Sequence, residues 1–323
     1  MNKRIIGIDV GGTTVKIGLL SYKGKILEKW EIPTNIDHHG VSISDDIWNS
    51  ISDKLKQLNI GVESIMGIGV GAPGFFDGDT GFIFEAVNIG WKNYGLADDL
   101  KSKSGLPVFA ENDANIAVLG ENWLGAGNNA KNMIAITLGT GVGGGIIANG
   151  EILNGENGMA GEIGHTTIDP NGYDCNCGRK GCLETIVSAT GIVRQAMETI
   201  DKDKSSMLAS HYEKKGSITA KDVFEFAEAG DPASKAIVKN TADIIGLFIA
   251  NMGVVVNPEK VLIGGGVSKA GDQLLSQIQS AFEKYALPRV SEVCQLEIAE
   301  LGNDAGIIGG AFLVKQRLEN IKF

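Results

Sequence analysis

A chain of 323 residues, 43% hydrophobic and 21% charged, is long enough for about two domains and has the composition of a folded globular protein, which excludes a disulfide-stapled miniprotein and a disordered chain. Its 29 Lys+Arg against 39 Asp+Glu leave a net charge of −10 with no basic block, so nucleic acid is not an expected partner. No window approaches the roughly 18 consecutive apolar residues of a membrane helix, and Asp9 interrupts the apolar run that follows Met1–Arg4 before it could serve as a signal peptide; the sequence reads as cytoplasmic, without a membrane partner.

Residues 4–20 read as two β-rich runs joined by a Gly11-Gly12-Thr13-Thr14 turn. Ser44 is placed to cap a helix with Asp45 and Asp46 in its first turn and an apolar face of Ile47, Ile51, Leu55 and Leu58. A strand is expected at 65–70. A second run, 107–110, leads through Glu111-Asn112-Asp113 into a helical pattern ending near Gly125. Residues 134–148 then repeat the opening hairpin: with Ile6 set on Ile134, Ile8 falls on Ile136, Val10 on Leu138 and Gly11 on Gly139, which predicts a diverged duplication. Helical patterns follow at about 183–200 and 219–256, and Asn257-Pro258 stops the second of them. Val261-Leu262-Ile263 reads as a buried strand entering Gly264-Gly265-Gly266, and 305–318 as a helix that crosses back. Alternating strands and helices make this an α/β protein. The hinge is expected near 112–114, dividing a smaller α/β domain of 1–113, with helix 305–323 packed on it, from a larger one of 114–304.

The 45 glycines, roughly twice average usage, need separate explanations. Gly139-x-Gly141-x-x-Gly144 matches the dinucleotide fingerprint, but Gly145–Leu153 reads as strand, Asn-Gly turn and strand where the fingerprint needs a helix N-terminus for the pyrophosphate. No phosphate-binding G-x-x-x-x-G-K-[S/T] run and no protein-kinase signature set is present. Two glycine-tipped hairpins and a strand ending in three glycines could instead surround a nucleotide with backbone N–H groups.

Those three segments, Asp9-x-Gly11-Gly12-Thr13-Thr14-x-Lys16, Gly139-Thr140-Gly141 and Gly264-Gly265-Gly266, resemble the phosphate-1, phosphate-2 and adenosine motifs of the actin-like ATPase and sugar-kinase superfamily. The run from Gly139 to His165, followed by Cys175-x-Cys177-Gly178-x-x-Gly181-Cys182-x-Glu184, is similar to the ROK family and within it the bacterial glucokinases. The resemblance implies a duplicated actin-like (ribonuclease H-like) fold of two domains with a central cleft. It further implies transfer of a phosphoryl group from MgATP to the 6-hydroxyl of glucose, with other hexoses (mannose, fructose, an N-acetylhexosamine) as alternatives. The family also holds sugar-responsive repressors with a DNA-binding domain ahead of the first hairpin, for which a strand starting by residue 4 leaves no room.

His165, Cys175, Cys177 and Cys182 supply the Cys3His donor set that suits structural zinc, and the resemblance assigns that metal. Cys294 stands apart as a buried thiol. By resemblance, Asn88, Asn112, Glu162, His165 and Glu184 bind the sugar, with Gly71–Gly74 beside them, and Asp113 accepts the proton of the attacking hydroxyl. A plain helix cap is the alternative reading of Asp113. Asp9 is expected to hold Mg²⁺ through water, while Gly11, Gly12, Thr13, Thr14, Lys16, Gly139, Thr140, Gly141 and Gly264–Gly266 contact the nucleotide. The helical run from Ile237 to Val256 is apolar on more than one face, which together with the family's habit implies a homodimer.

Overall fold

The computed structural model describes residues 3–323; Met1 and Asn2, which open the expected first domain, lie outside the described residues. Contacts group the chain into two compact units, one of Met1–Lys131, Gly145–Gly161 and Glu300–Phe323, the other of Asn132–Gly144 and Glu162–Ala299.

The first unit is built on a sheet of β1 (Arg4–Val10), β2 (Thr14–Ser21), β3 (Ile26–Pro33), β4 (Ile65–Ala72) and β8 (Val108–Asn112), in the order β3-β2-β1-β4-β8. The opening hairpin forms as its pattern requires, β1 antiparallel to β2 with Asp9 opposite Lys16. The one-turn segment α1 (Asp37–Gly40) precedes α2 (Ile43–Gln57). Ile47, Ile51 and Leu55 of α2 pack on one face of the sheet with Ile6, Ile8 and Val10. Leu58 leaves that stripe at the C-cap and is exposed. Ser44 is not the cap either: α2 starts at Ile43 with Ser42 at the N-cap position, and the buried Ser44 hydroxyl donates to Asp99 Oδ2 at 2.5 Å. A three-stranded sheet of β5 (Phe75–Asp77), β6 (Phe82–Ala86) and β7 (Trp91–Tyr94), then α3 (Leu96–Ser104), precede β8; neither is among the elements expected from the sequence. After β8 come α4 (Asp113–Leu124), β9 (Met133–Leu138), β10 (Val142–Ala148) and the short β11 (Glu151–Ile152).

In the second unit, β9, β12 (Lys260–Gly264) and β13 (Gln295–Ile298) pair in parallel. The full second sheet, β11-β10-β9-β12-β13, repeats the strand order of the first, the structural counterpart of the repeat between residues 4–20 and 134–148. The expected helix over 183–200 is two, α5 (Glu184–Val187) and α6 (Ala189–Lys202), because Ser188 leaves the helical region and caps α6 by accepting the Gly191 N–H. After α7 (Met207–Lys215), the 219–256 run likewise divides into α8 (Ala220–Glu228) and α9 (Pro232–Val256), Asp231 capping α9 ahead of Pro232. Such caps are worth about 1 kcal/mol each and set helix starts that periodicity alone cannot locate. Among the described helices, α9 is the one long and apolar enough by length and composition to cross a membrane. Its Ile245, Phe248 and Ile249 are buried, and a Cβ at its Gly246 would meet Ala281 of α10 (Asp272–Tyr285). The helix is thus packed into the second unit, ahead of the single turn α11 (Pro288–Ser291). Cys294 is buried, which pushes its thiol up to about 11.

The last helix, α12 (Ala305–Glu319), returns to the first unit and covers the other face of its sheet, Ile307, Ile308, Ala311 and Val314 packing with Ile5 and Leu20. Helix and sheet touch backbone to backbone: a Cβ on Gly7 would overlap the carbonyl oxygen of Ile307, and one on Gly69 that of Gly310. Glycine is required at both places for the close approach.

Candidate active site

The first glycine loop is closed by its own backbone, the Gly11 N–H donating to Thr14 O at 2.9 Å. Thr34 anchors it from β3's end, its hydroxyl donating to Gly11 O at 2.7 Å and its N–H to Thr13 O at 2.9 Å. Gly12, Thr13 and Thr14 are left at the exposed or half-buried tip. Asp9 and Lys16 are cross-strand partners, Nζ 3.6 Å from Oδ2, so Lys16 turns to this carboxylate. Burial pushes the Asp9 carboxyl above its ordinary value, and Lys16 offsets part of the rise. A desolvated carboxylate with one weak ion pair favours a further cation. Gly306, in the first turn of α12, makes room for this side chain, since a Cβ there would lie 2.8 Å from Asp9 Cγ.

At the β8–α4 junction the cap is Asn112, not Asp113. The Asn112 side chain accepts from the N–H groups of Ala114 at 2.9 Å and Asn115 at 3.2 Å and donates to Gly74 O at 3.0 Å, which joins the Gly71–Gly74 loop to the junction. Asp113 is the first residue inside the helix and accepts the Ala114 N–H through Oδ1 at 2.8 Å. Asn88 stands exposed on the turn between β6 and β7. Three polar residues of this region have no role in the sequence reading: Glu111, Asn115 and Asn154, which bond to one another beneath the junction. Glu111 and Asn115 are four apart around the turn into α4, a spacing that could have marked them, whereas nothing local marks Asn154.

The second unit holds the other loops. Gly139 N–H donates to Gly141 O, and the Ala189 N–H and Thr190 hydroxyl, at the start of α6, bond the carbonyls of Gly139 and Thr140 at 2.8 Å each. Gly265 has φ +85° and lies so near Leu138 that a Cβ would come 2.5 Å from its carbonyl oxygen. The loops Gly139–Gly141 and Gly264–Gly266 are therefore neighbours at the ends of β9 and β12. Glu184 opens α5 beside them, its Oε2 2.8 Å from the position of a Cβ on Gly141.

Glu184 is also tied to the cysteine cluster, accepting from Cys175 Sγ at 3.0 Å and lying 3.7 Å from His165 Nδ1 through the same oxygen. The donor atoms of His165, Cys175, Cys177 and Cys182 lie within 4.8 Å of one another. Cys177 and Cys182 sulfurs are 3.6 Å apart, as are Cys175 Sγ and His165 Nδ1. Thiolates about 2.3 Å from a tetrahedral zinc are about 3.8 Å apart, so donor set and spacing both fit that ion. Arg179 donates to the His165 carbonyl and draws the exposed Cys177 thiol down to about 6 through its N–H and guanidinium, while burial and the bond to Glu184 push Cys175 up to about 12. Glu162 caps the short turn Ile163–His165 at its N-terminal end, with the His165 N–H donating to its carbonyl at 3.1 Å.

A glucokinase of Halalkalibacterium halodurans is 55% identical over 313 residues, 97% of this chain and 95% of its own. One of Thermotoga maritima is 37% identical over 316 residues, 98% of each chain. The solved structure of a ROK family glucokinase from Streptomyces griseus, in complex with glucose and AMPPNP, matches with a TM-score of 0.76 at 32% identity, covering 97% of this chain and 99% of that one. With the repeated sheets these likenesses make the fold the actin-like ATPase fold expected from the three glycine segments. The ROK family model matches residues 5–317, which takes in both hairpins, the cysteine cluster and most of the returning helix, and the chain belongs to the ROK family.

Proposed function

We propose that the chain is a glucokinase, transferring the γ-phosphoryl group of MgATP to the 6-hydroxyl of glucose to give glucose 6-phosphate and ADP. The observation that carries this reading is the 55% identity to a glucokinase across 97% of the chain. In the reaction the O6–P bond forms, the bond from Pγ to the bridging oxygen of ADP breaks, and Asp113 takes the hydroxyl proton. A helix N-terminus weakens Asp113 as a base, but in a loose phosphoryl-transfer transition state the hydroxyl need not lose its proton before attack, so placement counts for more than basicity. Asn112 leaves that placement to Asp113 by doing the capping itself.

Asp9 would hold the magnesium of MgATP through water; Gly11–Thr14, with Lys16 beside Asp9, and Gly139–Gly141 would take the phosphates, and Gly264–Gly266 the adenosine. Asn88, Asn112, Glu162, Glu184 and His165 would bind the sugar hydroxyls, the carboxylates favouring a polyol by accepting two hydroxyls each. Zinc on His165, Cys175, Cys177 and Cys182 would be structural, fixing the segment from which Glu184 projects. The protein is placed in the cytoplasm as a homodimer. Exposed Val254 and Val255 at the end of α9, with Leu287 and Val293 in the same unit, support an apolar contact there.

An ADP-release assay with glucose, mannose, fructose and N-acetylhexosamines tests the reading. Glucose is expected to give the highest kcat/KM. A higher value for another hexose would reassign the substrate, and no ADP release with any hexose would remove the function.

A further inference from the structure

Glu111 is 2% exposed, and its bonding partners among the described residues are N–H donors rather than a cation. One oxygen, Oε1, accepts the Asn112 N–H at 2.9 Å and Asn115 Nδ2 at 3.2 Å. The other, Oε2, accepts Asn154 Nδ2 at 3.1 Å. Asn154 Oδ1 in turn accepts from Asn115 Nδ2 at 3.1 Å. The three side chains thus form a closed ring in which every direction is fixed: Asn115 gives both of its amide hydrogens, Asn154 gives one and takes one, and Glu111 only accepts. Burying a carboxylate costs several kcal/mol unless its hydrogen bonds are made, so a ring this complete, directly beneath Asn112, constrains the junction it supports.

We propose that Glu111 is a positioning residue: locked by Asn115 and Asn154, its carboxylate holds the Asn112 backbone and so sets where Asn112 and Asp113 stand for the sugar hydroxyl. This rests on the phosphoryl-transfer reading of Asp113. It adds to that reading a role for Asn154, which ties the junction to the segment that follows β11.

The ring supplies its own test. In Glu111→Gln the new amide meets the Asn154 amide donor to donor and the ring opens. Adding Asn154→Asp closes it again with the polarity of one link reversed: the amide introduced at position 111 then donates to the carboxylate introduced at position 154, while Asn115 still donates to both. The single variant should lose roughly 10- to 100-fold in kcat, the scale of a misplaced reacting group, with the KM for ATP within about twofold of wild type. The double variant should recover most of the loss. Thermal unfolding of each variant separates folding from placement. If kcat per folded molecule is unchanged in Glu111→Gln, or if the double variant recovers thermal stability but not kcat, the positioning role is overturned. Wild-type enzyme assayed alongside keeps the two readings apart, because absence of glucose phosphorylation there would remove the function rather than the role of Glu111.

Discussion

In the proposed function, Asn112 and Asp113 would divide capping and proton acceptance, two tasks that a single residue at a strand-to-helix turn would have to share. Asn112 satisfies the first N–H groups of α4, and Asp113 sits one position on. Asp113→Asn should therefore lower kcat by about 10² to 10⁴, the range for a lost general base, with a smaller change in the KM for glucose and little change in helix stability. Steady-state kinetics decide it, and near-wild-type turnover would return Asp113 to a structural role. Asp9 offers a contrasting case, because burial raises its carboxyl pKa. A raised folded-state pKa means that the ionised form costs stability at neutral pH and that the cost vanishes as pH falls and the group takes up its proton. Asp9→Asn should consequently unfold at the same or a higher temperature than wild type at neutral pH, with the gap closing in acid, while turnover with MgATP is lost. Lower stability of the variant at neutral pH would show that the attraction of Lys16 outweighs burial.

Among the elements, the segment from Glu162 to Glu184 has little secondary structure to hold it: a single 3₁₀ turn, isolated β-bridges and the Cys3His cluster precede α5. Its shape should depend on the metal. Cys177→Ser, or strong chelation, is expected to release close to one zinc per chain and to abolish glucose binding while far-ultraviolet circular dichroism stays near wild type, because Glu184 loses its fixed neighbours before either sheet is disturbed. Metal analysis with calorimetric glucose titration gives the answer; a zinc-free preparation that binds glucose normally would refute it. The glycine loops are elements of the opposite kind, held by backbone geometry. Gly265, at positive φ and against the Leu138 carbonyl, admits no side chain.

For the whole molecule the expected assembly is a dimer of 34.0 kDa chains. Much of the apolar surface of α9 that suggested it is accounted for within the second unit, since Ile245, Phe248 and Ile249 are core residues. What stays exposed is the C-terminal end, Val254 and Val255. Sedimentation equilibrium at micromolar loading should give twice the chain mass, and Val255→Lys should shift it toward the monomer. A monomer mass for the wild type at every loading would refute the assembly.

Sequence alone determined the local features whose cause is local. Both hairpins are legible because apolar runs broken by Gly-Gly-Thr-Thr and Gly-Thr-Gly have few other conformations, and their correspondence carries the duplication that the two sheets repeat. The Cys3His set was legible because its donors are chemically uncommon and close in the chain. Caps and breaks were not: Ser44 looked like a cap but is engaged by Asp99, a partner 55 positions away, and the helix expected over 183–200 breaks where Ser188 can cap the next one. Only the tertiary structure decided that Asn112 caps α4, that Gly7 and Gly69 exist to admit the backbone of α12, and that Glu111 closes a ring with Asn154, because a hydrogen bond or a backbone contact between distant segments leaves no period or spacing in the sequence that makes it.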